Sequence, residues 1–233
     1  GDGEEAAAVE QRPEAAAQCQ AAFQALNALK DNSRHGQAGV PAAGTRRNTM
    51  SAFPYWLAFG DLHDDISRLE EIPELEGAAG VIVTGDITMV GGIRQARRAL
   101  EPVARRVPLL LAQIGNMDMR EVDGWLDEQG WNLHARAREL HPGVLALGVG
   151  GSNVTPFNTP SEFSEQQLTD WMEQAYAEAQ RITAAHTGAE GSPPLVALVA
   201  HTPPYATACD RLRSGAPAGS TAVRAFIEKY QPD

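Results

Sequence analysis

From Tyr55 onward the chain alternates short apolar runs with stretches of helical length. The runs lie at residues 55–59, 80–84, 108–114, 144–149 and 195–200. They lack the polar alternation of a half-exposed sheet, and short, mainly apolar runs of strand length are what a parallel sheet covered on both faces demands. Strand, helix, strand repetition therefore predicts an α/β fold with a largely parallel, buried sheet. Pro142-Gly143, between Leu140-His141 and Val144, reads as a turn between two β-prone runs and predicts added antiparallel strands near the middle of the chain. Ser164 and Gln167 have capping-box spacing at the start of a helix predicted over 164–185, whose apolar face carries Leu168, Trp171, Met172, Ala175, Ala179 and Ile182. A last helix is predicted over 220–230, before Pro232.

Residues 1–30 are alanine-rich, with apolar side chains near helical spacing, and predict a helical extension; the polar stretch to Thr49 reads as a linker. Met50 then marks either the start of the main domain, 50–233, or an ordinary internal methionine. At 233 residues and 43% hydrophobic content the chain suffices for one sizeable domain. Its net charge is −11. A surface of that sign repels phosphate backbones and anionic lipid, which argues against nucleic-acid or membrane partners. Cys19 and Cys209 form no disulfide framework or zinc knuckle, and no segment has the roughly 20 apolar residues a bilayer span requires. The expectation is a cytoplasmic protein of unknown oligomeric state.

Four of the runs end in residues that ligate cations. Asp61 and His63 follow Phe59-Gly60, Asp86 follows Gly85, Asn116 follows Gly115, and His201 follows Ala200. In a parallel sheet the loops beyond the carboxyl ends of the strands share one edge, so residues distant in sequence meet there. An aspartate after a strand is commonly a helix cap. Four such loops in succession, each with an oxygen or imidazole donor, point instead to a cluster for cations that accept mixed O and N ligands.

The ordered set D-x-H, G-D, G-N-x-D and H-x-P-P-Y resembles that of the calcineurin-like metallophosphoesterases, over about Tyr55 to the C-terminus. The resemblance implies a four-layer arrangement, two facing mixed sheets flanked by helices, and hydrolysis of phosphomonoesters or phosphodiesters by water activated between two divalent ions, Mn, Fe or Zn. Carried onto this chain, it implies Asp61 and His63 on one ion, Asp86 bridging, and Asn116 and His201 on the other. Asn116 and Arg120 are further candidates for contact with a small phosphate-ester substrate.

Two departures qualify the resemblance. The family's usual histidine between the asparagine and the acid of the third motif is Met117 here, and a thioether cannot donate a proton to a leaving group. The family's G-H-x-H segment would begin where the chain stops, which implies a further piece beyond Asp233. These departures motivate an alternative: a phosphoesterase-like binding or regulatory module with weak turnover. Asp118 is expected to cap the following helix or, as in the family, to orient a neighbour. Asp64 and Asp65 are expected at a helix N-terminus, His35, His134, His141 and His186 at surface or capping positions, and Tyr205 beside the site in packing or substrate contact. A phosphatase with an aspartate nucleophile is disfavoured, since its D-x-D would need a second acid where His63 stands.

Overall fold

The computed structural model describes residues 54–186 and 194–233. The helix expected within residues 1–30 and its linker fall outside them. The strands are β1 (Trp56–Phe59), β2 (Gly80–Val83), β3 (Leu110–Ala112), β4 (Ala137–His141), β5 (Val144–Val149), β6 (Ser152–Asn153), β7 (Glu162–Phe163) and β8 (Leu195–Ala200). All five apolar runs are among them, with ends shifted by a few residues.

β1, β2 and β3 form a parallel sheet in chain order, with Trp56 opposite Gly80 and Val81 opposite Leu110. A second sheet has the order β4-β5-β8, with β4 antiparallel to β5 through the Pro142-Gly143 turn and β8 parallel to β5. Gly143 adopts φ 80°, the left-handed conformation such a turn favours in glycine. β6 and β7 are a short parallel pair that the sequence did not suggest.

Successive side chains of β2 divide between two cores. Val81 and Val83 join the large cluster that includes Leu100, Val103 and Leu126, while Ile82 joins Leu111, Leu133 and Ala146 in a smaller cluster shared with the second sheet. This period-two division is the strand geometry itself. Buried Gln113, just beyond β3, donates its Nε2 to Val149 O and Val199 O, each at 3.2 Å, and to Thr84 O at 3.4 Å. One side-chain amide thus joins both sheets.

Four α-helices complete the described residues: α1 (Ile93–Ala104), α2 (Glu121–Gln129), α3 (Glu165–His186) and α4 (Thr221–Tyr230). Ala96, Ala99, Leu100 and Val103 form the buried stripe of α1 at helical spacing. Ser164 and Gln167 make the expected reciprocal cap of α3, with Ser164 Oγ accepting from Gln167 N–H and Gln167 Oε1 from Ser164 N–H. Met172 is buried on the face of α3 as expected, with Trp171 packed at the core margin.

One expectation fails. The crossover from β1 to β2 is not an α-helix but two short 3-10 helices, Ser67–Glu71 and Pro73–Gly77. Pro73 has no N–H and disfavours α geometry at Ile72, so a helix begun at Ser67 cannot continue through it. No helix among the described residues is long and apolar enough to cross a membrane.

Candidate metal centre

β1, β2 and β3 run in one direction, so their three motif loops emerge at one edge of the sheet. The first two are laced together by backbone hydrogen bonds: Asp61 N–H to Gly85 O at 3.0 Å, His63 N–H to Asp86 O at 3.0 Å and Asp64 N–H to Ile87 O at 3.1 Å. Asp61, His63, Asp64 and Asp86 all have positive φ, between 47° and 67°. Non-glycine residues rarely occupy this region, and such strain concentrates where surrounding structure fixes a functional geometry. Gly115 is required for the third loop to approach, because a Cβ there would lie 2.1 Å from both the N and the Oδ1 of Asp86.

Asp61, His63 and Asp86 each present a ligand atom within 4.8 Å of the others. His63 Nε2 lies 3.7 Å from Asp61 Oδ1 and 3.7 Å from Asp86 Oδ2. On the other side of the Asp86 carboxylate, His201 Nε2 is 3.3 Å from Oδ1 and 3.1 Å from Asn116 Oδ1. Asp86 therefore stands between two imidazoles, and its Oδ1 also accepts the Met117 N–H at 2.8 Å.

Neighbouring bonds fix which atoms face inward. His201 Nδ1 lies 3.2 Å from Thr84 O, an acceptor only, so Nδ1 carries the hydrogen and Nε2 turns to the cluster. Thr159 Oγ1 gives its proton to Glu162 Oε1 and accepts from Asn116 Nδ2 at 3.2 Å, which turns Asn116 Oδ1 toward His201. Nε2, Asn116 Oδ1 and Asp86 Oδ1 thus converge, an arrangement that positive charge satisfies, whether a proton on the imidazole or a bound cation. Burial alone would lower the His201 pKa, but Asp86 and Asp61 outweigh it and hold the imidazole above its usual value. At Asp61 the desolvation that raises a carboxyl is likewise outweighed, here by His63 and His201, and its pKa is lowered. The donor set and the field both fit a cation.

A family model for calcineurin-like phosphoesterase matches residues 56–233. The chain belongs to that family. The uncharacterized protein MJ1162 of Methanocaldococcus jannaschii is 28% identical over 173 residues, covering 73% of this chain and 71% of its own length. A crystal structure covering 76% of this chain and 80% of its own aligns at 16% identity with a TM-score of 0.45, a likeness too loose to carry an argument.

In this calcineurin-like phosphoesterase several neighbouring residues do other work than the sequence suggested. Asp118 does not cap α2, whose start has no side-chain cap. It is fully buried and accepts from Gly115 N–H (2.8 Å), Ile87 N–H (3.1 Å), Thr88 N–H (2.7 Å) and Thr88 Oγ1 (2.8 Å), tying the second loop to the third. Burial pushes its carboxyl up against the pull of these donors. The N-cap of the 3-10 helix is Ile66 and not either aspartate; Asp65 precedes it and accepts from Ser67 N–H, while Asp64 Oδ2 accepts from Met89 N–H and braces the second loop. His134 is not at the surface: it is buried, its Nδ1 accepts from Gly150 N–H at 2.9 Å and its ring meets Trp171 edge-on. Arg120 donates to Pro160 O and Glu162 O and lies over the Phe163 ring, so it braces the loop beside Asn116. Tyr205 is 40% exposed, and its N–H donates to Ser220 O.

Gln113, Thr159 and Glu162 escaped the sequence reading. A lone glutamine in the apolar run 108–114 was a signal for the first; nothing in the local sequence marks the other two. Burial raises the Glu162 carboxyl, but hydrogen bonds from Thr155 and Thr159 outweigh it and bring its pKa to about 2, from an ordinary 4.5. A depressed carboxylate pKa stabilises the fold above the unfolded value and loses that contribution as pH falls through the folded value. Urea unfolding of wild type and Glu162→Gln is therefore expected to show a wild-type advantage at pH 6 that shrinks steadily below about pH 4.5. An advantage that stays constant down to pH 3 would contradict the assignment.

Proposed function

We propose that this chain is a metal-dependent phosphoesterase that hydrolyses a phosphomonoester or phosphodiester. Asp61 and His63 would hold one divalent ion, Asn116 and His201 a second, and Asp86 would serve both, with manganese, iron or zinc as the ions. The observation that carries this reading is the convergence of Asp86 Oδ1 and Asn116 Oδ1 on His201 Nε2, at 3.3 and 3.1 Å, beside the Asp61, His63 and Asp86 cluster. When bound, two such ions supply Lewis acidity for a water and for the phosphoryl oxygens. The chain contributes the positioning: Thr84 O orients His201, Thr159 orients Asn116, and the Met117 N–H holds one oxygen of Asp86. Arg120 serves substrate indirectly, through the loop it braces. The scaffold is the four-layer arrangement of facing sheets, a reading supported by the cluster of Ile82, Leu111, Leu133 and Ala146. A cytoplasmic location rests on the cysteine spacing alone.

A module without turnover is the second reading, and Met117 is the residue that favours it. Manganese in 100-fold excess over its Kd adds about 2.7 kcal/mol to the folded state, a rise in Tm of roughly 5–10 °C. The expected result is that rise, reversed by chelator, together with manganese-dependent hydrolysis of an aryl phosphate. A rise in Tm with no hydrolysis would establish the module instead, and neither response would end both readings.

A further inference from the structure

Next to the cluster lies a cleft of about 610 Å³, lined by Val90, Met117, Met119, Phe157 and Pro160 together with Arg120, Glu121, Asn158 and Thr159. Two of its lining residues touch the proposed centre: Met117, whose N–H holds Asp86, and Thr159, whose hydroxyl holds Asn116. Its volume falls in the range of small-molecule sites. Its two charged residues are partly engaged elsewhere, since Arg120 Nε and Nη2 donate to Pro160 O and Glu162 O, and Glu121 Oε1 accepts from Ile93 N–H, though both side chains are exposed. What remains for a ligand is mainly apolar, and much of it faces solvent: Phe157 is 71% exposed, Val90 54% and Met119 42%.

Val90 is the more telling of these. It is a β-branched residue at φ 56°, a conformation that costs free energy and that glycine or asparagine would adopt more readily. The backbone around it is pinned, with Met119 N–H donating to Gly91 O at 3.1 Å and Gly91 N–H to Thr88 Oγ1 at 3.0 Å. An exposed isopropyl group held in a strained turn at this cleft has no role in the core. It has one as the wall of an apolar subsite.

We infer that the substrate is an aryl phosphate ester whose aromatic group occupies this cleft. The inference rests on the phosphoesterase reading and specifies its substrate class. Two methionines and a phenylalanine offer the soft apolar and edge contacts that aromatic rings favour. The leaving-group chemistry agrees independently. Hydrolysis forms a bond from water oxygen to phosphorus and breaks the bond from phosphorus to the ester oxygen, whose electron pair stays with that oxygen; the protons of the water pass to solvent. Met117 offers the departing oxygen no proton, which favours an ester whose oxygen can leave as an anion. A phenol, with a pKa of about 10 like the tyrosine side chain, yields such an anion far more readily than an alkyl alcohol.

The test compares phenylphosphonate with methylphosphonate by calorimetry on the zinc-loaded protein, a diamagnetic form, with ¹³C-methyl methionine spectra of the same samples. Phenylphosphonate is expected to bind at least tenfold more tightly and to shift the methyls of Met117 and Met119 but not that of buried Met172. Phe157→Ser and Val90→Asn, both at exposed positions and the second suited to the backbone, are each expected to cut that ratio below about threefold. Phenyl phosphate is expected to exceed methyl phosphate in kcat/KM by at least as much. Equal affinities in wild type, or a ratio unchanged in both variants, would overturn the subsite while leaving the phosphoesterase reading in place. Absence of binding by either phosphonate and by inorganic phosphate, with no hydrolysis, would overturn both.

Discussion

Asp86→Asn is expected to lower manganese-dependent kcat/KM by about a thousandfold or more, the scale of the several kcal/mol that bound cations contribute to phosphoryl transfer. The substitution keeps an oxygen for the Met117 N–H, 2.8 Å from Oδ1 in the wild type, so the third loop retains its anchor. It removes the charge that stands between His63 and His201, at 3.7 and 3.3 Å. Folding and activity should therefore separate: the apo protein unfolds close to wild type, and the increase in Tm with manganese is lost. Hydrolysis within tenfold of wild type, with the increase in Tm retained, would remove Asp86 from the centre.

Asp118→Ala is expected to have the largest effect on stability, a loss of roughly 3–4 kcal/mol and on the order of 10 °C in Tm. The carboxylate accepts four hydrogen bonds in a fully buried site, and truncation leaves those donors without a partner. Asp118→Asn should be little better. Oδ2 accepts from both Gly115 and Ile87 N–H, and an amide nitrogen placed there would face two donors. If Asp118 merely capped a helix, alanine would cost about 1 kcal/mol and asparagine would substitute well. Chemical unfolding of the two variants decides between the roles. Near-wild-type stability of Asp118→Asn would dissolve the buried network as the account of this residue.

Much of the main domain was legible because its signals are local. Short apolar runs gave the five principal strands, capping-box spacing gave the start of α3, and a Pro-Gly pair gave the hairpin of β4 and β5. The crossover after β1 was misread because spacing alone suggested a helix, whereas one proline decided its form. β6 and β7, two residues each, are too short to carry a period.

The candidate ligands were legible for a different reason. Parallel strands force their following loops to one edge, so residue type and position after a strand are enough to nominate Asp61, His63, Asp86, Asn116 and His201. Their supporting partners were not legible. Asp118 pairs with residues about thirty positions away, and Thr159 reaches Asn116 across forty-three. A side chain that binds its own neighbours leaves a local pattern; one that binds across the fold leaves none.

The order of donor types along the chain, and with it the family, was thus determined by sequence. The rest belonged to tertiary structure: that Asp118 knits two loops where it might have begun a helix, that His134 is buried, that Arg120 braces a loop, and that apolar side chains wall a cleft beside Met117. Each of these depends on which groups meet after the sheets assemble. Hydrogen bonding and burial are properties of pairs, and pairs distant along a chain exist only once it has folded.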